Sequence, residues 1–469
     1  MIKVTTQWIC RVTEGSMLGG SVSIDSVSTD TRTIETGALF IALRGGNFDG
    51  HQFVVQAVEK GAVAVIVDHK LDVDVPQIVV ADTTRALGAL GAAVKNQLNL
   101  KTVAITGSMG KTTVKEMVAA VLSRLGDVLA TAGNFNNDIG VPLTLLRLDE
   151  QHDYAVMELG ANHRGEIAYT TGLVQPDVCM INNIAPAHLE GFGDIDGVAR
   201  AKAEIFEHSS DDCVAVVNCD VSYSKRWLKK MAGRKVVMYS IDKTKDVDVW
   251  VDNICLDEFG CATFDLCRKV NGINENILVQ LNVPGQHNVA NALAAACVCV
   301  SLGASLVDVS LGLMQMQPVK GRVNLIKVND HLTIIDDTYN ASVEAVKAGI
   351  DLLKQTAGHT IIALGDMAEL GLNARSYHEE VGIYAKEQGI NHLCSLGVLS
   401  QNATEGFGEN AKHFSTKAQL MPHLYQLINQ ASQKVTVLVK GSRSAKMEMV
   451  VAALENHYDV EKHNSREAS

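Results

Sequence analysis

Apolar runs of strand length recur along this chain in two blocks, each run separated from the next by helical periodicity. Between about 100 and 317 the runs are "TVAIT", "YAVMEL", "DVCMIN" and "CVAVVN". Between about 320 and 456 they are "LTIIDD", "TIIALGD", "HLCSLG" and "KVTVLVKG". Continuously apolar strands alternating with amphipathic helices fit a parallel sheet covered on both faces. The pattern predicts an α/β chain with two such units. A smaller α/β unit precedes them, with "GALFIALRG" and "AVAVIVD" as buried strands and "HQFVVQAVEKG" as a helix stopped by Gly61. Shorter β-like runs, "VDVWVDNICL", "GCATFDLC" and "NILVQLNV", interrupt the alternation late in the middle unit. A length of 469 residues asks for about three cores. The expected domains are 1–98, 99–317 and 318–460, the last opened by Pro318 and the polar "KGR". Residues 461–469, "EKHNSREAS", are polar and are expected to form a disordered tail.

Charge and cysteine usage narrow the functional classes. A formal net charge of −12 argues against general affinity for nucleic acid or anionic membrane. It leaves room for a local phosphate site, because backbone N–H groups cradle phosphate with few cations. The ten cysteines include no C-x-x-C pair, and several sit in apolar runs, which reads as free core thiols in a reducing compartment. The N-terminal "MIKVTTQWICRVTEG" has no apolar signal core. Val289–Val307 carries no charge but is dominated by Ala and interrupted by Asn291, Ser301 and Gly303, as in a buried helix rather than a membrane span. A cytoplasmic monomer is expected.

The strand "TVAIT" runs into "GSMG", and Lys111-Thr112-Thr113 opens the amphipathic "KTTVKEMVAAVLSRL". Strand, glycine turn and helix are the context of a phosphate-binding loop, with helix N-terminal amides facing the anion. The loop is compact. Only Ser108 and Met109 separate Gly107 from Gly110, and Ile105 stands where the longer loop has its first glycine. Thr106 to Thr113 would hold a nucleotide, with Lys111 at the β/γ-phosphates and the Thr112 hydroxyl on Mg²⁺.

Glu158 ends "YAVMEL", and His188 follows the next strand in "NNIAPAHLEG". Alone, the first reads as a helix cap and the second as a loop histidine. Emerging from successive strand ends beside a phosphate loop, both become candidate metal ligands. Lys202, in "VARAKAEIFEH", reads on periodicity as a solvated helix lysine.

The ordered set "TGSMGKTT", "GNFNNDIGVPLTLL", "MELGANHRGEI", "NNIAPAHLEGFG", "AKAEIF", "VPGQHNVANALAA" and "DDTYNAS" resembles the Mur ligase family over nearly the whole chain. These are ATP-dependent amide-forming enzymes of peptidoglycan precursor synthesis, whose phosphate loop has the compact form. Within the family, "NNDIGVP", "LGDMAELG" and "VKGSRSAKME" resemble the branch that adds D-alanyl-D-alanine. The "DNPR" motif of the diaminopimelate-adding branch is absent from this sequence. The resemblance implies a uridine-binding N-terminal domain, a central P-loop ATPase-like parallel-sheet domain and a C-terminal Rossmann-like domain.

The resemblance also implies roles for individual residues. Ser28, Thr29, Asp30 and Arg32 match the UDP-recognition stretch, and Arg44, Gly45 and Asn47 belong to a second loop of that pocket. Glu158 and His188 become ligands of two Mg²⁺ ions. Lys202 matches a lysine that relatives carry as a carbamate, which would convert a cation into an oxygen ligand. Asn288 and Asn291 match positions near the adenine of ATP. Arg322, Asp337 and Asn340 match contacts to ATP from the third domain. Where relatives often read Asn-Ala-Asn-Pro, this chain has Asn340-Ala341-Ser342-Val343. Asp366, Lys440, Ser442 and Arg443 are candidates for the dipeptide end. The implied substrates are ATP, a UDP-N-acetylmuramoyl-tripeptide and D-alanyl-D-alanine, with lysine and diaminopimelate both open as the third peptide residue. Lys111, His188 and Lys202 are the expected catalytic residues. Two other readings remain: a family ligase with another amino substrate, and a P-loop ATPase acting as a switch.

Overall fold

The computed structural model describes residues 1–46, 48–186, 189–257 and 260–467. His188 and Asn47 lie outside the described residues. Three sheets carry the architecture. A five-stranded sheet takes its strands from Ser16–Leu18 to Gln77–Val79, parallel except at its Ser16–Leu18 edge. A six-stranded sheet takes its strands from Asn324–Lys327 to Val435–Lys440, parallel except at the Asn324–Lys327 edge.

Between them in sequence lies a nine-stranded sheet. Its parallel part runs Val236–Ser240, Val214–Asn218, Val178–Ile181, Lys101–Thr106, Tyr154–Glu158 and Val128–Ala130. The three short β-like runs become a long meander, Val249–Leu256, Cys261–Val270 and Ile273–Pro284, antiparallel within itself. It joins the parallel part through only Tyr239↔Val249 and Ser240↔Trp250.

The strand Lys101–Thr106 shows how the pattern produces the layers. Val103 and Ile105 point into one core cluster and Ala104 into the other, as the two-residue strand period requires. On the first face the helix Lys111–Leu122 presents Val114, Met117, Val118 and Val121, spaced to form one stripe. The uncharged stretch after Gly285 is the helix His287–Ser301, buried on nearly every side against that same cluster. No helix among the described residues is long and apolar enough to cross a membrane. Strand Lys101–Thr106 is flanked by Val178–Ile181 and Tyr154–Glu158, which chain connections reach in opposite directions. That makes its C-terminal end the switch point where open α/β sheets bind ligands.

One expectation fails at the end of the chain. The helix Glu448–Glu467 runs through most of the stretch assigned to a disordered tail. No Gly or Pro interrupts it, and Glu, Lys and Arg are good helix formers. A helix anchored by buried Val450, Val451 and Leu454 therefore propagates onward.

Candidate active site

The loop after strand Lys101–Thr106 is a cradle held from behind. Gly110 has φ +73, and a Cβ there would lie 2.6 Å from Asn291 Oδ1 and 2.7 Å from Asn182 Nδ2. Only glycine meets both demands. Asn183 Oδ1 accepts from Met109 N at 2.8 Å, and Asn183 Nδ2 donates to Met109 O at 3.0 Å. Ser108 Oγ donates to Ala185 O at 2.9 Å and accepts from Ala185 N at 3.0 Å. Asn182 Nδ2 bridges Met109 O, at 3.0 Å, and Asn291 Oδ1, at 2.9 Å. Thr106 Oγ1 donates to Leu159 O at 2.8 Å, tying the loop's base to the neighbouring strand.

Lys111 begins the helix and donates from Nζ to Gly107 O at 2.9 Å. Burial pushes its pKa down, nearby Arg322 adds to the push, and Glu158 opposes it. Glu158 is buried, and both carboxylate oxygens are caught. Thr112 Oγ1 donates to Oε2 at 2.7 Å and Asn136 Nδ2 to Oε1 at 2.8 Å. Thr131 Oγ1 accepts from Glu158 N at 3.0 Å, and buried Lys115 donates from Nζ to Thr131 O at 2.5 Å. Lys115 thus fixes the segment that fixes Glu158. Lys115→Met is expected to lower stability by about 2 kcal/mol, because it leaves a buried carbonyl without its donor. Urea unfolding checks this, Lys115→Arg should retain part of the loss, and an unshifted midpoint would refute the role.

Lys202 departs from the solvated-lysine reading. It is 1% exposed, its Nζ lies 5.9 Å from the centroid of the Phe192 ring, and its pKa is pushed down to about 7. Burial is the main cause and the charge on Lys111 adds to it, while Glu158 acts the other way. Near neutral pH much of this amine is uncharged and nucleophilic.

A cavity of about 570 Å³ collects these groups. Ser108 to Thr113, Glu158, Lys202, Asn288 and Asn291 line it from the nine-stranded unit; Arg322, Asp337, Asn340 and Ser342 line it from the six-stranded one. The Arg322 guanidinium lies 4.1 Å over the Tyr339 ring, and its Nε is buried with no partner among the described residues. Ser342 Oγ approaches Met109 Sδ at 3.4 Å across the cleft. Asn291 Nδ2 donates to Asn288 Oδ1 at 2.8 Å, and Asn288 Nδ2 to Pro284 O at 2.7 Å. The asparagines assigned to ATP therefore first form a ladder that braces the loop.

The residues expected at the dipeptide end do not stay together. Lys440 is buried in the same cavity, ion-paired with Asp337 and donating to Asn340 O at 3.0 Å. Asp366 accepts from Val398 N at 2.9 Å and Ser400 N at 2.8 Å, so its carboxylate folds a loop. Ser442 Oγ lies 3.1 Å from Ser444 Oγ, and exposed Arg443 pairs with Glu448 at 2.9 Å. Asp366, Ser442 and Arg443 are outside the cavity lining, because local partners satisfy them.

In the five-stranded unit, Ser28 ends a strand and its Oγ accepts from Asp30 N at 3.1 Å. Thr29 follows it in the same turn. Arg32 is exposed and doubly bonded to Asp30, whose pKa it lowers to about 2. Arg44 Nε lies 3.0 Å from Asp68 Oδ2 and 3.3 Å from Asp49 Oδ2, and Gly45 N donates to Phe48 O at 2.9 Å. Both arginines thus stand on the strand-end edge of the sheet, each held by a carboxylate.

Comparison with known proteins follows the same partition of the chain. The Mur ligase family catalytic domain matches residues 23–121, the Mur ligase middle domain 105–299, and the Mur ligase glutamate ligase domain 321–443. A curated relative from Escherichia coli (strain K12), named UDP-N-acetylmuramoyl-tripeptide–D-alanyl-D-alanine ligase, is 44% identical, with 97% of this chain and 99% of the relative covered. The chain belongs to the Mur ligase family. A crystal structure of MurF from Acinetobacter baumannii superposes on this Mur ligase with a TM-score of 0.91 at 40% identity, covering 97% of this chain and 99% of that one. The MurF ligase of Thermotoga maritima, solved in complex with ADP, gives a TM-score of 0.81 at 25% identity, covering 93% and 98%.

Asn182, Asn183, Asn136, Thr131 and Lys115 were not singled out from sequence. The adjacent Asn182-Asn183 at a strand's C-terminal end was the visible signal for two of them.

Proposed function

We propose that this Mur ligase joins D-alanyl-D-alanine to UDP-N-acetylmuramoyl-tripeptide, with ATP converted to ADP and phosphate. The observation that carries this is the convergence of the compact phosphate loop, Glu158 and Lys202 on one cavity, in a chain that aligns end to end with relatives of that printed name. Residues 1–98 would hold the uridine diphosphate end, 99–317 ATP, and 318–460 would close over the nucleotide, in a cytoplasmic monomer.

The tripeptide carboxylate attacks the γ-phosphorus of ATP, giving an acyl phosphate and ADP. The amine of D-alanyl-D-alanine then attacks the acyl carbon, and phosphate leaves. Anion attacking anion is electrostatically opposed, so the Lys111 ammonium and the loop's N–H groups must face the developing charge. Arg322 can reach the nucleotide from the opposite wall, since its Nε has no protein partner among the described residues. The donor set fits Mg²⁺: the Thr112 hydroxyl and Glu158 carboxylate supply hard oxygens, and Lys202, as an uncharged amine, can take up CO₂ to become a carbamate. When bound, Mg²⁺ would neutralise phosphate charge. No enzyme nucleophile is needed, and closing the two walls keeps water from the acyl phosphate.

Phosphate release from ATP, measured with UDP-N-acetylmuramoyl-tripeptide and Mg²⁺, should require D-alanyl-D-alanine. Equal release with meso-diaminopimelate or L-glutamate in its place would overturn the amino substrate. Release from ATP alone, indifferent to both substrates, would overturn the ligase reading.

A further inference from the structure

Behind the helix that carries Lys202 lies a second cavity, of about 600 Å³, that no step of the ligation uses. It opens between the helix Ile195–Glu207, the start of the helix Glu166–Val174, and the helix Ser224–Lys230. Ala199, Arg200 and Ala203 face it at helical spacing, whereas Lys202 lines the nucleotide cavity.

Its charge balance is one-sided. Arg164, Arg200, Arg226 and Lys230 line it, opposed by Glu204 and Glu207. Both acids are already committed. Glu204 accepts from Gly165 N at 2.9 Å and Ala168 N at 3.1 Å, and Glu207 pairs with Lys230. Among the described residues Arg164 and Arg226 have no ion pair, and Arg200 reaches only Asp194, at 3.7 Å. Two guanidinium groups with no ion pair among the described residues, Arg164 and Arg226, and a third, Arg200, loosely paired with Asp194, thus line one hollow near whose rim Tyr223 donates to Asp196 at 2.6 Å, in a chain whose net charge is −12. Its floor is aromatic: Trp227 is buried, with the Phe206 ring edge-on at 5.8 Å and the Tyr223 ring stacked at 6.3 Å. Forked donors around an apolar floor match the oxygens of a phosphate-type anion better than a monovalent carboxylate.

We propose that this cavity binds a small, multiply charged phosphate anion, separately from the nucleotide site.

The test titrates the full-length protein with inorganic pyrophosphate, following tryptophan emission at constant ionic strength. The phosphate loop is saturated beforehand with a non-hydrolysable ATP analogue. The expected result is a saturable change that is absent from Trp227→Phe, which removes the reporter on the cavity floor. Binding should weaken about tenfold or more in Arg226→Ala, where one charge-assisted contact is lost. Arg226 is exposed, so this variant should fold, and Arg200→Ala provides an independent second variant. A parallel arm with UDP separates the sources. Tighter, Arg226-dependent binding of UDP supports the diphosphate of a nucleotide as the ligand, and tighter pyrophosphate binding supports a free anion. No saturable change, an identical titration in Arg226→Ala, or the same change produced by chloride would overturn the proposal.

Discussion

Lys111→Ala loses phosphate release by about a thousandfold while its unfolding transition stays in place. The cause is local. Nζ of Lys111 stands at the mouth of the loop with one protein partner, Gly107 O, and is only half-buried, so the side chain adds little to packing. In the proposed reaction its charge would meet the γ-phosphate, where negative charge accumulates. Lys202 lines the same cavity from the helix Ile195–Glu207 and does not sit at the start of the loop's helix, so it does not replace an ammonium at that point. Single-turnover phosphate release with both substrates reads the chemical step, and circular dichroism reads the fold. A loss smaller than tenfold would mean that the loop amides and Arg322 carry the phosphate without this ammonium.

Lys440→Met destabilises the six-stranded unit by about 3–5 kcal/mol, the largest stability effect expected at the site. Lys440 and Asp337 pair at the ends of adjacent parallel strands, and Lys440 is 1% exposed. Removing the ammonium leaves a shielded carboxylate with no cation against it, a cost well above that of losing one hydrogen bond. Asp337→Asn combined with Lys440→Met should recover much of the stability, because neither charge is then stranded. Hydrogen exchange along Leu332–Asp337 and Val435–Lys440 is the suitable probe, since several cores need not unfold together. Faster exchange in the single variant and near-normal exchange in the double one are expected. Equal exchange in both would show that the pair is structurally idle.

The strands that bury both faces were plain in sequence, because Val103, Ala104 and Ile105 need no partner to announce their environment. The compact loop was legible for a similar reason: glycine, lysine and threonine act there through local backbone geometry. Residues whose meaning depends on distant chain were not. Lys440 was a candidate for the dipeptide end until strand pairing set it against Asp337, far earlier in the chain. Asp366 looked available until the turn at Val398 and Ser400 claimed its oxygens. Lys202 changed class outright, because helical periodicity reports which face a residue occupies and not what covers that face. The Asn182–Asn291–Asn288 ladder joins two strand-helix units, and no spacing along the chain encodes it.

The cavity at the glycine loop has one wall on each of two separately cored units, with Met109 and Ser342 meeting at its seam. A nucleotide bound there, as proposed, would also be a clasp. If the walls stand apart in a fraction of molecules, the affinity measured for ATP is the intrinsic affinity scaled down by the fraction already closed. A variant that tightens the seam would then strengthen nucleotide binding without touching the nucleotide, and a loose seam would make well-formed contacts register as weak ones.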